Sequence, residues 1–264
     1  MALEDKIRKA AIPAAGKGTR LAPLTRAMPK ELIRVGKKAV IGHILDMLNE
    51  GGISDSLIIT GWKKGPLLDY IGSGKDFNMN VYYTIQEEQK GTGHALMHAK
   101  SWINGEDFVF VYGDNYIRPY SVLNDLIEFH KQKESKATLL LHPVVDPRRF
   151  GIVKLDENGI AAGMIEKPNY EEAEQYLTNG EYLNIAGMGI LSSDIFEYIQ
   201  KTKPGKNNEM QLTDSIELMR KDGKLVCGYI FRGKRFDIGT QESLDEVDKL
   251  HVKYLKELET TKGI

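Results

Sequence analysis

The chain carries one cysteine, Cys227, in 264 residues. No internal disulfide can form, and a reducing compartment, the cytoplasm, is the expectation. Cys227 stands in the apolar run LVCGYIF and reads as a buried strand residue. No apolar stretch approaches the roughly 20 residues that span a bilayer, and MALEDKIRK at the N-terminus lacks an apolar targeting core, so no membrane partner is expected. Blocks of Lys or Arg are missing as well. The 36 cationic and 37 acidic residues leave a formal charge of −1, which argues against a nucleic-acid partner held by phosphate neutralisation. There is no Pro/Gly/Ser linker, internal repeat or low-complexity segment. With 41% hydrophobic and 28% charged residues, the remainder is an ordinary globular chain, long enough for a substantial core.

Strand-like and helical patterns alternate through the first half: KAAIPA, VIGHILDMLNEGG with Gly51-Gly52 as its stop, SLIIT, NVYYTIQ, the helix-like TGHALMHAKSWI, FVFVYGD, SVLNDLIEFHKQK and ATLLLHPVV. This is a βαβ rhythm, and strands apolar on both faces belong in a covered parallel sheet. The second half predicts a hairpin over GIVKLDENGIAAGMIEKP, turning at Asn158-Gly159, then a strand and a capped helix over NIAGMGILSSDIF. The expectation is an α/β fold: a Rossmann-like mixed, mostly parallel sheet flanked by helices, with a smaller second lobe. It is read as one domain over 1–264, divided into halves 1–145 and 146–240 and a C-terminal helix at 241–264. In that helix Leu244, Val247, Leu250, Val252, Leu255 and Leu258 have amphipathic spacing, which suits packing on the chain's own core or a subunit interface.

The richest segment is AIPAAGKGTRLAPLTRAMPKE at 11–31. Ala14, Ala15, Gly16 and Gly18 keep side chains clear so that backbone N–H groups can approach anionic oxygens, and Arg20 and Lys30 add formal charge. Neither common phosphate motif fits. The Walker pattern fails for want of a glycine upstream of Gly16, and the dinucleotide fingerprint fails because Leu21 replaces its third glycine. Asp114 ends the apolar run FVFVYGD, where a carboxylate is costly unless it is paired, metal-bound or capping the next segment. His94 and His98 have the i,i+4 spacing of a zinc pair, but no third ligand accompanies them and Ala95 stands where a metalloprotease has Glu.

GKGTRLAPLTRAMPKEL resembles the signature of the sugar-1-phosphate nucleotidylyltransferases, Gly-x-Gly-Thr-Arg-Leu-x-Pro-x-Thr followed by Pro-Lys. Further blocks match in the family's order: Gln86 with Gly91, YGDN ending at Asn115, FGIV at 150–153, EKP at 166–168, NNEMQLTDSI at 207–216 and FDIGT at 236–240. The resemblance spans nearly the whole chain. It implies Mg²⁺-dependent transfer of a nucleotidyl group to a sugar-1-phosphate in a cytoplasmic homo-oligomer, a dimer or tetramer. Gly93-His94-Ala95 and the run at 209–214 point to UTP and glucose-1-phosphate, whereas GDN and FDIGTQESL resemble thymidylyl- and mannose-1-phosphate-transferring branches and keep dTTP as the alternative. Non-catalytic regulatory relatives would be expected to have lost the charged residues that this chain keeps.

By that resemblance Arg20 steadies pyrophosphate, Lys30 holds the triphosphate, and Lys167 grips the sugar phosphate. Asp114 and Asp237 bind the metal. Ala14, Ala15, Gly16, Gly18 and Thr19 form the nucleotide loop. Gln86 reads the base with Gly91 leaving room for it, and Gly151, Glu166 and Ile185 contact the sugar.

Overall fold

The computed structural model describes residues 6–205, 208–238, 244, 246, 247, 249 and 251–253. Its strands are β1 (Lys9–Ala14), the short pair β2 (Arg34–Val35) and β3 (Lys38–Ala39), β4 (Asp55–Thr60), β5 (Asn80–Ile85), β6 (Phe108–Val111), β7 (Asn115–Arg118), β8 (Ala137–Val144), β9 (Gly151–Leu155), β10 (Ala161–Glu166), β11 (Tyr182–Leu191), β12 (Val226–Ile230) and β13 (Lys234–Asp237).

Parallel pairing of β5, β4, β1 and β6 forms the first half of the main sheet. In chain order these are the third, second, first and fourth strands, so the order reverses between β1 and β6. A crevice opens beyond the carboxyl ends of strands at such a reversal, and open α/β sheets bind their ligands there. β11 pairs antiparallel with β6, and β8 and β9 pair antiparallel with β11. β10 closes the hairpin with β9, and β12 lies parallel to β8. The result is an α/β fold on one mixed sheet, parallel through its first half, with helices on both faces.

The apolar run FVFV explains the sheet's centre. All four residues of β6 are fully buried; Val109 and Val111 enter one apolar cluster and Phe108 and Phe110 the other. That division follows the two-residue side-chain period of a strand. The helix Val40–Glu50 brings Ile41, Ile44, Leu45 and Leu48 to the first cluster. Helices Ile195–Lys201 and Leu212–Lys221 bring Phe196, Ile199, Leu212 and Ile216 to the second. Each such side chain contributes about 1.5–3 kcal/mol by leaving water.

The hairpin turns at Asn158-Gly159 as expected, with Gly159 at φ +77° and Asp156 Oδ1 accepting from the N–H groups of Asn158 and Ile160. Cys227 is buried in β12. Two local expectations differ. The helical pattern at 92–103 becomes two pieces, Thr92–Met97 and Lys100–Ile103, because the N–H groups of His98 and Ala99 bond three residues back, tightening the turn between them. The helix Ile195–Lys201 begins without a side-chain cap; backbone bonds from Ile195 and Phe196 to the carbonyls of Ser192 and Ser193 close that turn. In the C-terminal segment Leu244 packs against the core and Val247 and His251 are buried, while Val252 is exposed. Leu250, Leu255 and Leu258 lie outside the described residues, as do Asn207, Gly239 and Thr240. No helix among the described residues is long and apolar enough to cross a membrane.

Candidate active site

β1 delivers the small-residue loop to the crevice. Gly18 adopts φ +62°, and a Cβ there would lie 2.8 Å from Thr25 Cγ2, so the position excludes a side chain on two counts. The Thr25 hydroxyl donates to the Gly18 carbonyl at 2.8 Å and holds the loop's exit, from which the exposed Arg20 projects in a single turn, Thr19–Leu21. Lys30 opens the next short turn and forms an ion pair with Asp114, the residue two places beyond the Tyr112 that follows β6.

Asp114 and Asp237 are brought together by a two-stranded sheet. β13 runs antiparallel to β7 with Asp237 opposite Asn115, and the Ile238 N–H donates to the Asp114 carbonyl at 3.0 Å. Burial opposes ionisation of Asp114, but Lys30 outweighs it and holds the carboxyl below its ordinary range. The reverse holds for Lys30, whose burial penalty is overcome by Asp114 and Glu31, so its pKa lies above that of a free lysine. Among the described residues Asp237 forms no ion pair to match that of Asp114 with Lys30. Burial and then the neighbouring Asp114 push its pKa up, and its Oδ1 is shielded from solvent without a hydrogen-bond partner. Glu31, 1% exposed, is pushed up to about 8 by burial, and its Oε2 is likewise unpartnered.

A carboxylate with an orphaned oxygen beside a second carboxylate is a costly arrangement that a bound cation relieves. Two hard oxygen donors suit a divalent ion that completes its shell with waters and substrate oxygens. Among the described residues no group of three or more His, Cys, Asp and Glu gathers around a metal position. His94 and His98 pack edge to face with ring centroids 5.3 Å apart.

Two cavities meet at Asp114. The first, of about 320 Å³, is lined by Ala15, Gly16, Lys30, Gln86, Gly91 and Lys167 among others. The second, of about 250 Å³, is lined by Arg20, Asp237, Gly151, Glu166, Lys167 and Ile185 among others. Asp114, Lys167, Tyr112, Thr92 and Gln211 border both. The predicted residues thus converge, except that Ala14, Gly18 and Thr19 line neither cavity; Ala14 is buried as the last residue of β1. Gly91 has φ +99°, and a Cβ there would meet the Met210 carbonyl at 2.4 Å. A Cβ on Gly151 would lie 2.7 Å from Thr213 Oγ1 and 2.9 Å from Glu166 Oε2, inside the second cavity. Lys167 adopts φ +46°, uncommon for a residue with a side chain, and its ammonium lies 3.3 Å from Glu166 Oε1. Backbone strain of this kind persists where surrounding structure enforces it, and it gathers at functional sites.

Sequence reasoning passed over four contributors. Tyr112 and Thr92 stand at the junction of the cavities, Glu31 follows Lys30, and Arg235 donates to Asn115 Oδ1 at 3.1 Å from the strand that carries Asp237. Burial lowers the Arg235 pKa, with Asp237 and Asp114 opposing the shift. Tyr112 and Arg235 each stand two residues before a predicted metal ligand, which was the available signal.

Comparison with known proteins is consistent with this arrangement. A family model described as nucleotidyl transferase matches residues 9–253. The chain is 32% identical over 257 residues to a UTP–glucose-1-phosphate uridylyltransferase of Staphylococcus epidermidis, covering 89% of this chain and 88% of that protein. It is similar to a UDP-glucose pyrophosphorylase solved in complex with UDP-glucose, with a TM-score of 0.84 and 30% identity over 94% of this chain and all of that one. A UTP-bound UGPase of Acinetobacter baumannii, at 23% identity and a TM-score of 0.77 over 96% of this chain and 99% of that one, shares the fold.

Proposed function

Because the chain belongs to the nucleotidyl transferase family, we propose that it transfers a uridylyl group from UTP to glucose-1-phosphate, giving UDP-glucose and pyrophosphate. The observation that carries this reading is the pair of adjoining cavities, one built on the small-residue loop and the other on Glu166 and Gly151, with Asp114 and Lys167 common to both.

A phosphate oxygen of the sugar phosphate attacks the α-phosphorus of UTP, the bond to the bridging oxygen breaks, and pyrophosphate leaves in line. Positioning and charge management dominate such a transfer. Lys30 holds the triphosphate near its reacting end, Arg20 steadies the departing pyrophosphate, and Lys167 draws in the sugar phosphate. Glu166 accepts from sugar hydroxyls, and Gln86 reads the base above the gap that Gly91 leaves. Asp114 and Asp237 would hold a divalent cation, Mg²⁺ in this reading, which supplies neutralisation of phosphate charge and polarisation at the α-phosphate.

The test is pyrophosphate release with glucose-1-phosphate and, in turn, UTP, dTTP, CTP, ATP and GTP. UTP is expected to be fastest and dTTP second. Release with none of them would mean a binding protein without turnover.

The division of labour has its own test. Lys167→Ala is expected to raise the KM for glucose-1-phosphate by roughly one to two decades, through loss of a charge-assisted contact. Glu166 borders only the second cavity. Glu166→Gln is therefore expected to relax selection between glucose and galactose phosphates while UTP binding, followed by calorimetry, stays within about twofold. Equal loss of both ligands in that variant would show that the cavities are not divided between nucleotide and sugar.

A further inference from the structure

Gln86 follows β5, its N–H donating to the Thr60 carbonyl at 2.8 Å, and only 4% of the residue is exposed. Its side-chain nitrogen lies 2.8 Å from His94 Nδ1 and 3.4 Å from the Gly91 carbonyl oxygen. An amide nitrogen donates through two hydrogens and cannot accept. His94 Nδ1 must therefore be the acceptor, which makes the ring neutral with its proton on Nε2. Burial, and then the neighbouring His98 and Lys90, hold the His94 pKa below that of a free histidine, in keeping with that state. Turning the amide over would bring Oε1 against the Gly91 carbonyl, which can only accept, and would require His94 to move its proton from Nε2 to Nδ1. The Gly91 carbonyl gives the direction, and the shorter contact to His94 reinforces it as long as the ring keeps its proton on Nε2.

We propose that His94 is a positioning residue that fixes the Gln86 amide and thereby sets which pyrimidine the site accepts. This rests on the base-reading role of Gln86 given above. With Nε2 held by His94, Oε1 is left to accept, and the second Nε2 hydrogen, bound only weakly to Gly91, is left to donate. An imide edge, an N–H beside a carbonyl, matches that pair. Uracil and thymine both present it. Cytosine presents a ring-nitrogen acceptor beside an amino donor and needs the amide turned over, which costs the hydrogen bond to the Gly91 carbonyl and a change of tautomer at His94. Discrimination against cytosine thus comes from a residue that need not touch the base.

The experiment compares kcat/KM for UTP and CTP, at saturating glucose-1-phosphate, in the wild type, His94→Ala, His94→Asn and Gln86→Ala. Loss of one oriented hydrogen bond in a buried site predicts a fall of about tenfold in the UTP-to-CTP ratio for His94→Ala, carried mainly by the KM for UTP. The Asn side chain places an amide oxygen near the position of Nδ1, so His94→Asn is expected to restore the ratio to within roughly threefold of wild type. A wild-type ratio in His94→Ala alongside a collapsed one in Gln86→Ala would overturn the positioning role and leave the base-reading role standing. So would an asparagine variant no better than alanine, given that both melt at the wild-type temperature. An unchanged ratio in Gln86→Ala would remove the base-reading role and this inference with it.

Discussion

Asp237→Ala is expected to lose at least about three decades of turnover, roughly 4 kcal/mol of transition-state stabilisation, and yet to fold at least as firmly as wild type in EDTA. Both halves come from one observation. The carboxylate has a shielded oxygen without a partner and stands beside Asp114, so in the absence of a cation it burdens the fold. Removing it relieves that burden and takes away half of the proposed metal pair. In a protein of this size each kcal/mol of relief is worth about 2–4 °C in Tm. Asp114→Ala should match the loss of activity but not the stability. Its carboxylate is the ion-pair partner of Lys30, and deleting it leaves that largely buried ammonium without its strongest compensation. Opposite shifts in Tm with a common loss of turnover are the signature sought. Wild-type turnover in EDTA, or a marked drop in Tm for Asp237→Ala, would overturn the assignment of the pair.

The second large effect is expected at Arg20. Its side chain is solvent-exposed beside the cavity that holds Asp237, and it lowers the Asp237 pKa at a distance, so its charge reaches the metal pair without being buried. An exposed position implies little cost to folding when it is truncated. Arg20→Ala is expected to reduce kcat/KM by roughly three decades with an unchanged Tm. Arg20→Lys should recover only part, because an ammonium lacks the planar fork that grips two phosphate oxygens at once. A loss below about tenfold in the alanine variant would place Arg20 outside the chemistry.

How much of this was legible in the sequence depends on the range of the interactions. FVFVYGD announced both its strand and the position of Asp114, because a run buried on both faces followed by a carboxylate is a local pattern. Asn158-Gly159 was legible as a turn, whereas the approach of Thr25 to Gly18 and of Met210 to Gly91 was not. What the residues did not disclose lies in long-range pairing. Nothing local in NYIR or KRFD says that Asn115 will face Asp237, and the coupling of Gln86 to His94 needed the edge of the sheet beside a helix. His94 stood out for its spacing from His98 and for the Gly93-His94-Ala95 block, and neither pattern disclosed its contact with Gln86. The break in the helical pattern near His98 escaped notice because apolar periodicity does not distinguish a continuous helix from two short ones separated by a tightened turn.

The antiparallel pairing of β7 with β13 also bears on synthesis. Its two strands are separated by more than a hundred positions, so the N-terminal strands, the loop and even Asp114 can emerge from the ribosome and begin to fold long before Asp237 exists. A nascent chain at that stage would lack the second carboxylate and the Lys167 and Gln211 that help to line the first cavity. The competence proposed for the carboxylate pair is therefore gained only once β13 has been added and has paired with β7.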